Sequence, residues 1–277
     1  MYNYFDIHSH LDFSDFDSDR DELVKKMMEQ KIGTTTIGVD FLSSQKAISL
    51  AEKYDNVFAT IGQHPEDIDT DSVFDQRLRD LAGNEKVVAI GECGLDYFYL
   101  PSEPEFYVRN QYIKDIQKKI FEEQVKLSVE LQKPLMLHIR SSKGSHDAYS
   151  DTLDILEDYY KIHGNKLKGN SHFFAGNLET LRRFLDIGFT VSFTGVITFT
   201  GDYDELVRYV PDNMIMAETD APFVAPVPYR GTRNSPIYVM EVVKKIAEIR
   251  GEPLDKTKTV IMKNVLKSFP QISTVAP

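Results

Sequence analysis

The sequence predicts an α/β fold: a closed, parallel (β/α)8 barrel of TIM type with extra C-terminal helices. Three observations lead there. Strand-like and helix-like segments alternate eight times along the chain, which calls for a parallel sheet wrapped by helices and closed rather than open. The strand-like runs are short and continuously apolar or β-branched, as strands buried on both faces are. Residues of metal-ligating type, His8, His10, Glu92, His138, His172 and Asp220, sit at or just past the ends of these runs. A barrel gathers a site from distant sequence at the C-terminal ends of its strands in this way. The 277 residues suit a single domain over 1–277, since such barrels commonly run to about 250 residues.

The elements follow in order. Strands are expected at 2–8, 34–39, 57–61, 87–92, 134–138, 168–173, 189–193 and 214–218. Helical patterns occupy 19–31, 43–54, 71–82, 111–132, 147–163, 177–187 and 202–210, and two more, 236–250 and 257–269, finish the chain. No linker or low-complexity tract interrupts them. The stretch 97–110, YFYLPSEPEFYVRN, is longer than a usual strand–helix loop. It reads either as a packed insert or as a lid whose rings, Tyr97, Phe98 and Tyr99 among them, stack on a base. The proline-rich loop 221–236 carries Arg230 and Arg233, which with Arg140 are expected to bind a phosphate-bearing substrate. It follows Asp220 directly and should lie over the barrel mouth.

Composition narrows the class. A hydrophobic share of 42% supports a sizeable core, and no run approaches the ~18 consecutive apolar residues of a membrane span. The start, MYNYFDIHSH, has neither the basic region nor the apolar region of a signal peptide and reads as a strand that begins at once. One cysteine, Cys93, fits a reducing cytoplasm, and it reads as a small buried residue beside Glu92. The net charge of −11 disfavours coating an extended duplex, which takes a basic surface. It leaves room for a pocket that admits one strand end, because two divalent ions would bring about four positive charges to the place where a phosphate sits.

The chemistry rests on a few positions. His8 and His10 stand two apart at a strand end, so both rings face the same side and can share one metal. Glu92 lies between Gly91 and Cys93, where a carboxylate is costly unless it is paired, and its two oxygens can bridge two ions. His138 and His172 end neighbouring strands and can hold a second metal together. Asp220 can ligate one metal and take a proton from water, which makes it the general-base candidate. Asp96 either orients a ligand or binds substrate. Arg140, on the face of His138, suits a phosphate oxygen or pairs with a carboxylate. His64, in GQHP, reads as a contact to substrate phosphate or leaving group. Glu218 supports the site or makes a structural ion pair, and His146 and His163 read as surface residues. Imidazoles and carboxylates in this mixture fit zinc, manganese or magnesium.

DIHSHLDF, GQHP, GECGLDYF, KPLMLHIR, SHFFAG, SFTG and ETDAPF, followed by PYRGTRNSP, stand in one order along the chain. In this the sequence resembles the TatD-like metal-dependent deoxyribonucleases, within the wider amidohydrolase-type TIM-barrel hydrolases. The likeness covers about residues 4–269. It implies two divalent ions and phosphodiester hydrolysis, often 3′→5′ exonuclease action on single-stranded DNA. It implies that His8, His10 and Asp220 hold one ion, that His138 and His172 hold the other, and that Glu92 bridges them. Water activated between the two ions would be the attacking group, with Asp220 as base. His64 and Arg140 match positions near the scissile phosphate. Phe173 and Ala175 stand where relatives often carry cysteine and a small hydroxyl residue, and neither change removes a ligand.

The expected partner is therefore nucleic acid, entering as a single-strand end, with no membrane, and a monomer is favoured. One rival is another ester or amide hydrolase on the same scaffold, and one branch of the family resembled deacylates D-aminoacyl-tRNA. The other is a non-catalytic binding protein, which would be marked by loss of a ligand or of Asp220. This chain keeps both.

Overall fold

A computed structural model describes residues 2–272. Eight strands, β1 (Tyr4–Ser9), β2 (Ile32–Thr36), β3 (Val57–Ile61), β4 (Val87–Asp96), β5 (Leu135–Arg140), β6 (Gly169–Ser171), β7 (Thr190–Phe193) and β8 (Ile215–Ala217), pair in parallel and in chain order. The ring is nearly closed. Across the β8–β1 seam, His10 N–H donates to the Ala221 carbonyl at 2.7 Å and Asp220 N–H to the His8 carbonyl at 2.9 Å. The helices α1 (Arg20–Glu29), α2 (Phe41–Lys53), α3 (Leu78–Leu81), α4 (Tyr107–Leu131), α5 (Asp147–His163), α6 (Leu178–Asp186) and α7 (Asp204–Tyr209) lie between successive strands. Two more, α8 (Val239–Arg250) and α9 (Leu254–Ser268), follow β8.

The strands are buried on both faces; only Tyr4, His138 and Arg140 are partly open. That is why their sequences read as unbroken apolar or β-branched runs instead of alternating ones. Two helix starts are fixed locally. Asp40 and Ser43 form a reciprocal cap on α2, and Asn177 and Thr180 do the same on α6, each satisfying backbone donors that a helix start leaves open.

Two expectations shift. The helix expected at 71–82 shrinks to the single turn of α3. Upstream of it, Asp69 accepts from Asp71 N–H and from the Ser72 hydroxyl, and Asp75 accepts from Arg77 N–H. Short polar side chains that bond to nearby backbone compete with the helix ladder. The long loop after β4 is also shorter than expected, because α4 begins at Tyr107.

The feature that matters most for the site is in β4. Its register against β5 slips between Ile90 and Cys93. A bulge of this kind bends the strand and re-aims a side chain, and here that side chain is Glu92. The irregular turn needs room beside it. A Cβ on Gly62, at the end of β3, would lie 2.5 Å from the Gly91 carbonyl carbon and 2.7 Å from the Glu92 backbone nitrogen. Backbone atoms give way poorly, so Gly62→Ala should cost about 1–3 kcal/mol of stability and should also weaken metal affinity by moving Glu92. Denaturant unfolding and metal titration on the same variant check this. A variant of native stability and native metal affinity would show that the close approach is unimportant.

Candidate active site

The ends of the strands bring His8, His10, His64, Glu92, His138, His172 and Asp220 onto one cavity of about 710 Å3 at the C-terminal mouth of the barrel. Each of these except His8 lines its wall, and His8 is fully buried just beneath. Glu92 stands at the centre, and its two oxygens face different partners. Oε2 lies 3.5 Å from His8 Nε2 and 3.8 Å from His10 Nε2. Asp220 Oδ1 closes that group, 3.7 and 3.5 Å from the same two nitrogens. Oε1 lies 3.0 Å from His138 Nδ1, 2.8 Å from His172 Nε2 and 3.5 Å from His64 Nε2.

Carboxylates behind the histidines set which nitrogen faces the centre. Asp96 Oδ2 lies 2.8 Å from His138 Nε2, so that nitrogen is held outward and Nδ1 is turned to Glu92 at the centre. Glu218 is fully buried; its Oε2 stands 3.5 Å from His172 Nδ1 and 3.9 Å from His8 Nδ1, and its Oε1 accepts from Phe173 N–H. A carboxylate hydrogen-bonded behind an imidazole orients the ring and raises its basicity as a ligand, as Asp96 does for His138; Glu218 makes no such bond to either ring it faces. His64 is arranged the other way round. Its Nδ1 accepts from Glu66 N–H at 3.1 Å, so its Nε2 carries hydrogen and faces the cavity as a donor.

The electrostatics follow from this crowding. Burial raises the Glu92 carboxyl, but His172, His8, His64 and the hydrogen bond from His138 together hold it well below the usual carboxylate range. Burial opposes charge on His138, yet Asp96 and Glu92 lift it to about 9. Burial likewise opposes charge on His172, which Glu92 and Glu218 raise well above the imidazole range. Burial and the stacked His172 ring, 3.8 Å away, lower His8, while burial and His138 lower His64. Burial would raise Asp220, but hydrogen bonding to His10 and the charge on His8 keep it low and ionised.

These residues fit divalent cations. Among the described residues, both nitrogens of His8, Nδ1 of His10 and of His172, and Oε2 of Glu218 are buried without a hydrogen-bond partner, and unsatisfied buried atoms of this kind are rare. His8, His10 and Glu92 converge closely enough to share an ion, as do His64, Glu92 and His138, and His8, His172 and Glu218.

Backbone strain marks the same place. Asp220 has φ +55° and Phe173 φ +44°, a region that non-glycine residues occupy chiefly where surrounding structure holds them. Asn234 supplies part of that hold, with its amide donating to the Thr219 carbonyl at 2.8 Å and to the Phe223 carbonyl at 2.5 Å. Nothing in the sequence pattern pointed to Asn234, because its partners lie up to fifteen residues upstream.

The arginines and loop rings divide. Arg140 lines the cavity, its guanidinium 3.9 Å above the Phe98 ring and 4.7 Å above Tyr99. Neither Arg230 nor Arg233 is part of the cavity wall. Arg230 covers the Phe199 ring at 3.9 Å and donates to the Ala225 carbonyl. Arg233 pairs with Asp19 at 2.6 Å and covers Phe16. Phe98 and Tyr99 are exposed, but Tyr97, expected beside them as a stacking ring, is fully buried. Its hydroxyl bonds to Asp151 at 2.9 Å and Lys114 covers its face, so it serves the packing of the loop. Phe13 and Phe223 join the cavity wall.

Among the described residues no helix is long and apolar enough to cross a membrane. A family model described as TatD related DNase matches residues 5–270. An uncharacterised metal-dependent hydrolase of Bacillus subtilis (strain 168), YabD, is 33% identical over 269 residues, 96% of this chain and 98% of its own. A protein of Cronobacter sakazakii named 3′-5′ ssDNA/RNA exonuclease TatD is 32% identical over 262 residues, 90% of each chain. The crystal structure of YJJV, a TatD homologue of Escherichia coli K12, superposes with a TM-score of 0.79 over 97% of this chain and 98% of its own, and at 23% identity it bears on the fold alone. With a barrel whose mouth collects this histidine–carboxylate set, and with a match over nearly its whole length, the chain belongs to the TatD related DNase family of metal-dependent hydrolases.

Proposed function

We propose that this hydrolase cleaves phosphodiesters and removes nucleotides one by one from the 3′ end of single-stranded DNA, using two divalent ions. The observation that carries the reading is the division of Glu92: Oε2 faces His8, His10 and Asp220, while Oε1 faces His138 and His172. One carboxylate shared between two donor sets is what a pair of adjacent ions requires. His8 Nε2, His10 Nε2 and Asp220 Oδ1 would hold one ion and His138 Nδ1 and His172 Nε2 the other, with zinc, manganese and magnesium all compatible with the donors. Divalent ions bound there supply Lewis acidity, which acidifies water and draws charge from a phosphoryl oxygen.

The chain's own groups do the rest. Asp220, ionised at neutral pH, accepts the proton of the attacking water. His64 Nε2–H, fixed as a donor by the bond at its other nitrogen, hydrogen-bonds a phosphate oxygen or the departing 3′ oxygen. Arg140, held over Phe98 and Tyr99, offers charge at the cavity wall, with Arg230 and Arg233 farther out on the 221–236 loop. Asp96 orients His138, and Glu218 stands behind His8 and His172. The exonuclease name carried by the Cronobacter relative supports a nucleic-acid substrate. The net charge of −11 supports a strand end held at the metal site over a long polyanion held across the surface. The lone, buried cysteine is in keeping with work in a reducing cytoplasm.

The test is an assay of metal-reconstituted protein on end-labelled single- and double-stranded DNA and RNA, with D-aminoacyl-tRNA beside them. Mononucleotide release from the 3′ end of single strands is expected, and a chelator should abolish it. If a strand enters by its end, past the Tyr99 and Phe223 side chains at the cavity wall, a circular single-stranded DNA should survive under conditions that consume its linear form. Efficient cutting of the circle would contradict entry from an end. Deacylation with no DNA cleavage would replace the nuclease reading.

A further inference from the structure

Beside the metal-ligand cluster is a second, half-open recess of about 270 Å3 between the loop after β3, the loop after β4 and the first turns of α4, with Glu66, Asp67 and Arg109 exposed to solvent at its wall. Glu66, Asp67 and Tyr99 line both it and the main cavity. It is contiguous with the site, since Asp96 lies in its wall and bonds to His138, while Glu66 N–H donates to His64. Its sides are apolar: Ile68, Leu100 and Ile113, with the exposed ring of Tyr99 at the opening. Its polar groups have opposite charges. Arg109 stands in the wall with Glu66 and Asp67. Among the described residues no hydrogen bond or ion pair engages any of these three side chains, although the neighbouring acids are bonded. Asp69 is occupied by Ser72 and Asp96 by His138 and Phe98 N–H. Gln117 is likewise spent, on Asp96 and Pro65.

We propose that this recess is a base-selective subsite that takes guanine from the nucleotide at the metal site. This rests on the phosphodiester reading and adds specificity to it. Apolar walls and a tyrosine ring suit the faces of a planar base. The edges then choose among bases. Guanine presents two adjacent donors, N1–H and N2–H, which a carboxylate of Glu66 or Asp67 can accept together. It also presents two adjacent acceptors, O6 and N7, to which the Arg109 fork can donate. Cytosine offers one donor group to the acids, through its N4 amine. Adenine likewise offers one, through its N6 amine, and thymine only N3–H, flanked by two carbonyls whose lone pairs face the carboxylates. The order of preference is therefore guanine, then cytosine and adenine, then thymine. The same two acids repel any further phosphate, so the recess admits a base and excludes backbone.

The experiment measures equilibrium binding of the four deoxynucleoside 5′-monophosphates, by calorimetry, to the metal-loaded full chain and to its Arg109→Ala and Asp67→Asn variants. Hydrolysis of single-stranded DNA is followed in the same preparations. dGMP should bind roughly 10-fold more tightly than dAMP, as one good bidentate base contact provides. Arg109→Ala should reduce that ratio to about 2 or less, with dAMP binding and cleavage of an adenine homopolymer falling much less than dGMP binding. Equal affinity for all four nucleotides, absence of binding by any of them, or a uniform loss in Arg109→Ala would overturn the proposal. Cleavage of DNA without base preference would remove the guanine subsite and leave the nuclease reading standing. Selective dGMP binding without cleavage would do the reverse.

Discussion

Asp220→Asn is expected to lower turnover by at least ~100-fold, the usual share of a general base, while single-strand binding in the presence of metal falls far less. The amide keeps the shape of the side chain and an oxygen near His8 and His10, which stand 3.7 and 3.5 Å from Asp220 Oδ1. It cannot accept a proton at neutral pH. The backbone at φ +55° is also held by its N–H bond to the His8 carbonyl and by its own carbonyl accepting from Phe223 N–H, neither of which involves the side chain. The geometry should therefore survive and the chemistry should not. Single-turnover cleavage of an end-labelled strand, set against its binding isotherm, separates the two. Turnover near that of the parent chain would reject Asp220 as the base.

Glu92→Gln should have the larger effect on the metals. Residues that merely orient ligands cost 10–100-fold in metal affinity when replaced. Glu92 touches both donor sets, so its loss should exceed ~100-fold, with one ion lost on gel filtration. Removing a buried anion surrounded by five histidines also leaves the charge on His138 and His172 uncompensated, which is strongly unfavourable. Circular dichroism shows whether the barrel persists, and metal analysis of the folded fraction gives the stoichiometry. A folded glutamine variant that retains two ions and activity within tenfold of the parent would remove Glu92 from the centre of the site.

Much of this is legible in the sequence, for a physical reason. Strands buried on both faces cannot hide a histidine or a carboxylate without a purpose, so His8, Glu92, His138 and Asp220 stand out against runs such as VVAIG and PLMLH. Strand-end position then places them together. Glu218 could be read either as support for the site or as a structural ion pair, and the structure puts it behind the rings of His8 and His172.

What was not legible depends on contacts far apart in the chain. The turn that aims Glu92 needs Gly62 from β3 and a register slip against β5. Whether Arg233 faces substrate or an acid turned on Asp19, 214 residues away. Tyr97 looked like Phe98 and Tyr99 by composition, and only the extension of β4 to Asp96 carries it inside. The Arg109 recess is built from two loops and a helix start, and no single segment announces it.

The most direct measurement is a metal titration of 3′-end hydrolysis. Metal-free protein is loaded stepwise with zinc or manganese, and mononucleotide release from end-labelled single-stranded DNA is followed at each step. Activity should be absent without metal and reach its plateau at two equivalents per chain. A plateau at one equivalent, or no release of nucleotides from any strand at full loading, would contradict a two-ion phosphodiesterase bridged by Glu92.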